Sequence, residues 1–363
     1  MKILMKPFVE NMKAISSVVA DFIYIDVSDE KNCAMYVSTD IQAMKVPLEI
    51  SEIGEDEKKV YVVNKAEFTH LVPYMKENMI LRSDYSYESD DGTIKGKFEK
   101  NEGYADELES RKMLFDHEDE YKPFMEVTPS IMEGIVKGSI FVSPDSIKSA
   151  ERYLDIQKSK VFSYSKIKLY INDIDVSEDG LLSSEVIKSI QSLGVGTVIK
   201  NNNDSYLLIN AQRSLFEYFS TPNDVDFHPV LDEKFQAKIS NVETFNKVTL
   251  NIEELRTKLD YISFYASRCP NNMTYLNEDG GKIFLSTDEN TSIELSSATI
   301  EKTEEFEKMS VPFDCSALFT VVSKVGKDCE NLSIFVSANE ENKLILIRFG
   351  DTNEMVLIAK LNV

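Results

Sequence analysis

Histidine and cysteine are scarce, cations are outnumbered by acids, and no long apolar run occurs in these 363 residues. Only His70, His117 and His228 are present. None stands in an H-E-x-x-H or beside a nucleophile elbow, which leaves no recognisable metalloprotease or serine-hydrolase centre. No G-x-x-x-x-G-K-[ST] occurs either. Gly194-Val195-Gly196-Thr197 reads as a helix stop followed by a strand, without the lysine that would reach a phosphate. An enzyme is therefore not expected, nor a cofactor. Cys33, Cys269, Cys315 and Cys329 have no CxxC spacing and no neighbouring histidine, so they read as reduced, mostly buried thiols. A chain lacking 18 consecutive apolar residues is not expected to span a membrane. Lys6 interrupts the N-terminus before a signal-type apolar core could form, so a cytoplasmic location is expected.

The charge balance, 40 basic against 62 acidic residues for a net −22, argues against a surface that coats nucleic acid throughout, because non-specific affinity comes from neutralising phosphates. A local basic face inside an acidic shell stays compatible with it. Asp175-Val176-Ser177-Glu178-Asp179-Gly180 copies the first half of a calcium loop, but Val186 stands where the bidentate glutamate belongs, so it reads as a polar turn.

What the chain does contain is a duplicated frame. Val37-Ser38-Thr39-Asp40 and Leu285-Ser286-Thr287-Asp288 each follow an amphipathic helix pattern and precede a second, capped one. Near the N-terminus Phe8, Met12, Ile15 and Val19 form a helical stripe, with Lys6 and Lys13 on the other side. Asn64 with Glu67 makes a capping box for a helix burying Phe68, Leu71, Val72 and Met75, which Pro73 should kink or end; Lys65 and Lys76 are its cations. Asn251 with Glu254 opens a helix with the stripe Ile252, Leu255, Leu259 and Ile262, and Arg256 and Lys258 lie off it. Its partner starts at Asp314 and stops at Gly326, with Lys324 and Lys327 at the end.

A third copy is read between these two. Ser143-Pro144 predicts a helix start, with Ile147, Ala150 and Leu154 as stripe and Lys148 and Arg152 beside it. A second helix runs from about Ser184 to Gly194 and carries Lys188. Nearly everything else alternates with period two, including Phe22 to Val27, Ile80 to Tyr87, Tyr206 to Asn210, Leu344 to Phe349 and Met355 to Leu361. The class is α+β, with few helices set against much antiparallel sheet.

Three units of about 120 residues, each with two helices and a meandering sheet, resemble the bacterial-type sliding clamp, the ring-shaped processivity factor of replicative DNA polymerases. The likeness covers the full length and is sharpest from Val248 onward. There the helix, the Ser-Thr-Asp strand, the Val311-Pro312-Phe313-Asp314 entry to the second helix and the terminal strand Met355-Val356-Leu357-Ile358 follow in the family's order. The middle unit departs from it, with a shorter stretch between its helices and no Ser-Thr-Asp, so at least one strand or loop should be reduced.

The resemblance implies three clamp-type domains, 1–122, 123–240 and 241–363, two chains forming a closed ring around double-stranded DNA, and no catalysis. It implies that Lys6, Lys13, Lys65, Lys76, Lys148, Arg152, Lys188, Arg256, Lys258, Lys324 and Lys327 face phosphates without reading bases. It also implies a groove for short apolar peptides of a DNA polymerase and a clamp loader, formed by Phe227, His228, Pro229 and Val230 with Leu361 and Val363. Packing of the domain junction is an equal account of the linker residues. The competing class is a non-catalytic scaffold or viral structural protein built from the same repeat and binding proteins only.

Overall fold

A computed structural model describes residues 1–39, 41–116, 120–157, 159–165, 168–176, 178–193, 196–200, 205–221, 242–288, 291–303, 309–337 and 344–361. The elements recur in a threefold order. The first series is β1 (Lys2–Leu4), α1 (Lys6–Ser17), β2 (Phe22–Asp26), β3 (Ala34–Ser38), β4 (Gln42–Pro47), β5 (Ile50–Ser51), β6 (Val60–Asn64), α2 (Lys65–Leu71), β7 (Asn78–Leu81), β8 (Ser86–Ser89) and β9 (Lys95–Lys97). A connecting helix α3 (Leu108–Asp116) leads to the second: β10 (Lys122–Glu126), α4 (Pro129–Ser139), β11 (Tyr153–Gln157), β12 (Lys160–Ser165), β13 (Lys168–Asp173), β14 (Gly180–Ser183), α5 (Ser184–Leu193), β15 (Gly196–Lys200), β16 (Tyr206–Asn210) and β17 (Phe216–Phe219). The third is β18 (Asn246–Asn251), α6 (Ile252–Ala266), β19 (Met273–Asp279), β20 (Lys282–Asp288), β21 (Thr291–Glu294), β22 (Thr299–Glu301), β23 (Ser310–Asp314), α7 (Cys315–Thr320), β24 (Asn331–Val336), β25 (Leu344–Phe349) and β26 (Met355–Ala359).

Strand pairing repeats as faithfully as element order. In each series the strand before the first helix joins the strands after the second helix, and the three strands after the first helix pair with the strand that enters the second. The half-sheets then fuse: β17 pairs with β4, giving an eight-stranded sheet, and β26 pairs with β13, giving a nine-stranded one. The two half-sheets at the ends of the series stay separate, β5-β1-β7-β8-β9 and β21-β20-β19-β23. All four sheets are antiparallel. The chain divides into two compact units, residues 1–132 with 185–224, and residues 133–184 with 225–363. Each unit holds one fused and one separate sheet.

In the first unit the eight-stranded sheet is apolar on both faces. Ile23, Ile25, Met35, Val37, Met44 and Val63 join Phe8 and Ile15 of α1 in one core, while Tyr24, Tyr36, Ala43 and Val62 point the other way onto Leu108 and Phe115 of α3. Alternation within a strand sends neighbours to opposite faces, so both are covered. Helix α3 has no counterpart in the sequence reading.

The capping signals fold as read. Asn64 and Asn251 accept the N–H groups of Glu67 and Glu254, each at 3.1 Å, and Asp314 accepts those of Ser316 and Ala317. Only half of each capping box forms, because the Glu67 carboxylate takes the N–H of Glu99 and the Glu254 carboxylate those of Ser296 and Ser297. Helix α2 ends before Pro73, passing into a 3-10 turn at Val72–Tyr74. One strand reading and one helix reading change. Ile80 to Tyr87 is a hairpin of β7 and β8, and Val19 lies beyond α1 and is exposed.

The helix expected from Ser143 does not form. Ser143 to Ser146 is a turn, Ser149–Arg152 is one 3-10 turn, and Tyr153, Leu154, Asp155 and Ile156 lie in β11, paired on both sides. Ile147, taken for a core residue, is fully exposed. Lys148 and Arg152 therefore sit on a loop, not on a helix face. The first helix of the middle series is α4, signalled by Thr128-Pro129; the Thr128 hydroxyl accepts the Ile131 N–H at 3.3 Å. Gly134 and Gly138 weaken its helical pattern, but both are close approaches: a Cβ at Gly138 would lie 2.6 Å from Leu154 Cδ1. With α4 in place, the stretches between first and second helices, 18–64, 140–183 and 267–314, are nearly equal. The expected reduction is one short strand, the counterpart of β5 and β22.

Candidate nucleic-acid and peptide interfaces

The eleven cations divide by what already holds them. Lys6 pairs with Glu10 at 3.8 Å, Lys76 with Asp91 at 3.1 Å, Lys148 with Glu151 at 3.6 Å, Arg256 with Glu253 at 2.6 Å and Lys327 with Asp328 at 3.8 Å. Four of these are exposed pairs that a phosphate could replace at small cost, whereas the Glu151 side chain is only 8% exposed. Lys65 is different. Its ammonium donates to the carbonyls of Ser16, at 3.0 Å, and Val18. Burial lowers its pKa, and it completes the end of α1 by satisfying carbonyls the helix leaves unpaired. Lys258 is half-buried, with Glu254 nearby, and the Arg152 Nε is buried without a hydrogen-bond partner among the described residues. Lys13, Lys188 and Lys324 are exposed and form no ion pair among the described residues.

In the first unit α1 and α5 lie beside one another and line a polar cleft of about 280 Å³ with Lys13, Glu10, Asn11 and Ser192 at its wall. Asn11 is buried and reaches Ser214, in the turn before β17, at 3.4 Å. The second unit repeats the relation with other chemistry. Lys137 of α4 lies 2.9 Å from Glu354, in the turn before β26, and Tyr170 donates to the same carboxylate at 2.9 Å. Burial opposes the charge on Lys137, but its contacts with Glu133 and Glu354 outweigh that and raise its pKa.

Aligned on their buried stripes (Phe8, Met12, Ile15; Ile131, Ile135, Gly138; Leu255, Leu259, Ile262), the first helices place Ala14, Lys137 and Tyr261 at one position. The first two are 8% and 6% exposed, but Tyr261 is 53% exposed and Phe264 60%. Tyr265 packs against both rings, and the Arg268 guanidinium lies 4.6 Å from the centre of Phe264. This exposed aromatic cluster lies on the helix that packs against β21, the last strand of its sheet among the described residues.

Of the peptide groove, Phe227, His228, Pro229, Val230 and Val363 lie outside the described residues. Leu361 is half-buried and its N–H donates to the Pro312 carbonyl at 3.1 Å. The seam between β13 and β26 carries an apolar cluster that the sequence reading did not name: Phe162, Leu169, Ile171 and Leu357, with Tyr164, Leu344 and Met355 around it. Leu344 opens the run Leu344-Ile345-Leu346-Ile347 of β25, read from the sequence as an alternating strand but apolar without a break. No three or more His, Cys, Asp or Glu side chains among the described residues are placed to hold a metal ion. No helix among them is long and apolar enough to cross a membrane.

No family model and no curated protein matches the chain. Solved structures do, over its whole length. It is similar to the DNA polymerase III beta subunit of Thermotoga maritima (16% identity, TM-score 0.70, covering 100% of this chain and 99% of that one). It is likewise similar to a putative beta subunit from Eubacterium rectale (11%, 0.73, 100% of each chain). The DNA polymerase sliding clamp of Pseudomonas aeruginosa matches at 8% identity with TM-score 0.75, covering 100% and 99%. At such identities the likeness is one of architecture, and the chain has the fold of the DNA polymerase sliding clamps.

Proposed function

We propose that the chain is a sliding clamp, two copies of which close head to tail around duplex DNA and tether a polymerase. The observation that carries this is the seam rule. The third strand after the first helix pairs with the last strand of the following series at both seams inside the chain, β4 with β17 and β13 with β26. Among the described residues the same rule leaves β21 of the third series and β9 of the first paired with one strand each, β20 and β8. A second copy supplies a further partner to both, β9 of each chain pairing with β21 of the other, a heterologous contact that closes when the rotation completes a circle. Ile94, directly before β9, then occupies the place of Ser214-Leu215 and Glu354 and meets the exposed Tyr261.

Lys13, Lys188 and Lys324 supply exposed charge for phosphates, which holds DNA without reading sequence. The partly exposed rim of the β13–β26 seam, Tyr164, Leu344 and Met355, takes short apolar peptides of the polymerase and its loader. Tethering raises the polymerase's effective concentration at the DNA, and no bond is made or broken by the clamp. Light scattering tests the assembly: a mass near twice 41.3 kDa is expected, falling to one chain when Tyr261 and Phe264 are both changed to Asp. Negative-stain images should show a central hole. A wild-type monomer at micromolar concentration, or a dimer without a hole, refutes the reading.

A further inference from the structure

The turn that joins β16 to β17 is fastened by buried amides. Asn210, 7% exposed, accepts the N–H groups of Ser214 and Leu215 at 2.9 and 3.3 Å and donates to the Ser214 hydroxyl at 2.9 Å. Asn11 of α1 donates to the same hydroxyl at 3.4 Å. Ser214 thus accepts from two amides, and no acceptor among the described residues takes its own proton. That proton is left for the polar cleft between α1 and α5, whose wall also includes Lys13 and Gln212. Between Gln212 and Ser214 stands Arg213, exposed, without an ion pair among the described residues, and with φ +52°. The left-handed region suits glycine or asparagine, because an L side chain crowds its own carbonyl there. Backbone geometry therefore does not account for arginine at this position. Glu10, the only acid in the cleft wall among the described residues, pairs with Lys6 at 3.8 Å. The second unit lacks this arrangement: its turn before β26 carries the exposed Asp351, and the ion pair of Lys137 with Glu354 takes the place of Asn11 and Ser214.

We propose that this cleft seats a phosphate of the duplex backbone, with Arg213 and Lys13 supplying charge and Gln212 and Ser214 supplying neutral donors. The inference rests on the ring reading above and adds to it: each chain holds DNA at the turn before β17 and not at the turn before β26. A phosphodiester suits these groups, because cations, hydroxyls and side-chain amides are the donors that position a protein on a DNA backbone. The cleft wall contains no aromatic ring among the described residues on which a base could stack. At about 280 Å³ it has room for a phosphate with water around it.

Anisotropy of a fluorescein-labelled linear duplex, whose free ends let a closed ring thread on, tests this with the full-length protein from about 50 to 200 mM salt. Arg213→Gln is expected to weaken binding about fivefold and to lower the log-log salt slope by about 0.9, the loss of one neutralised phosphate. Gln212→Ala removes a donor but no charge, so binding should weaken about threefold at an unchanged slope. Arg213→Gly should lose as much affinity as Arg213→Gln while melting no lower than the wild type, because glycine relieves the left-handed turn. Wild-type binding that none of the three substitutions weakens overturns the phosphate seat and leaves the ring reading standing. A slope that falls with Arg213→Gln while Gln212→Ala binds as the wild type does reduces Arg213 to diffuse surface charge, and also overturns the seat. A wild type that does not bind the duplex at the lowest salt overturns the seat, and the ring reading with it when the same sample scatters light as a single chain.

Discussion

Lys137 and Glu354 form an ion pair that is almost wholly inside the protein, with side-chain exposures of 8% and 6%. It ties the first helix of the middle series to the turn before the last strand of the third, where the first unit uses the neutral pair Asn11 and Ser214.

Removing one partner should therefore cost more than removing both. Lys137→Met leaves the Glu354 carboxylate buried with Tyr170 as its main remaining donor, an expected loss of about 3–5 kcal/mol. Lys137→Met with Glu354→Gln should recover most of that loss. Urea unfolding of the two variants decides it, and equal destabilisation would mean that the carboxylate finds water.

Glu217 gives the protein an acid-side preference. It lies in β17 at the seam with β4, 1% exposed, accepting from Gln42 at 2.6 Å, and burial raises its pKa to about 7. The folded form then binds a proton that the unfolded chain has released, so stability falls as pH rises from about 4.5 toward 7 and levels off above. Full titration of that shift corresponds to about 3 kcal/mol. Glu217→Gln keeps the acceptor for Gln42 and should remove the slope, raising stability at pH 8 more than at pH 5. Melting curves at the two pH values check this.

For DNA, the exposed and unpaired lysines should matter and the structural one should not. Replacing Lys13, Lys188 and Lys324 by Gln is expected to flatten the salt dependence of DNA retention, by about 0.9 in log-log slope for each phosphate no longer neutralised. Lys65→Gln should leave the slope alone and lower the melting temperature, because its ammonium is spent on the carbonyls of Ser16 and Val18. A steep slope that survives the triple substitution assigns phosphate binding to other cations.

The tail separates two sites for the groove. Deleting residues 360–363 removes the Leu361 N–H bond to Pro312, an expected loss of about 1 kcal/mol. Peptide binding should persist if the seam cluster forms the groove. Lost binding at unchanged stability would move the groove to the tail.

How far the sequence revealed the fold depended on whether a local signal had a local cause. The caps at Asn64, Asn251 and Asp314 act within three residues, and they folded as read. The middle helix was misplaced because Ser143-Pro144 and Thr128-Pro129 are equally good starts, and only tertiary packing against Leu154 and Ile174 explains why a stretch with two glycines is the helical one. Helix α3 escaped notice because its apolar residues, Leu108 and Phe115, answer to a sheet formed elsewhere in the chain. The candidate lysines could be named but not ranked: pairing with Glu10, Asp91 or Glu253, or donation to the end of α1, appears only in three dimensions.

In the proposed head-to-tail assembly the two end strands that meet, β9 and β21, are unlike each other, which would give the assembly a direction. A self-complementary patch limits an assembly to two by its own geometry, whereas a plug and a socket do not count. Nothing in Lys95, Gly96 and Lys97 or in Thr291 to Glu294 tells a second copy from a third. On that proposal copy number would be set by the turn accumulated from one series to the next, through the seams around Glu217 and Glu354. Residues buried far from either end become the ones that decide whether the chain closes into a circle or grows into a spiral.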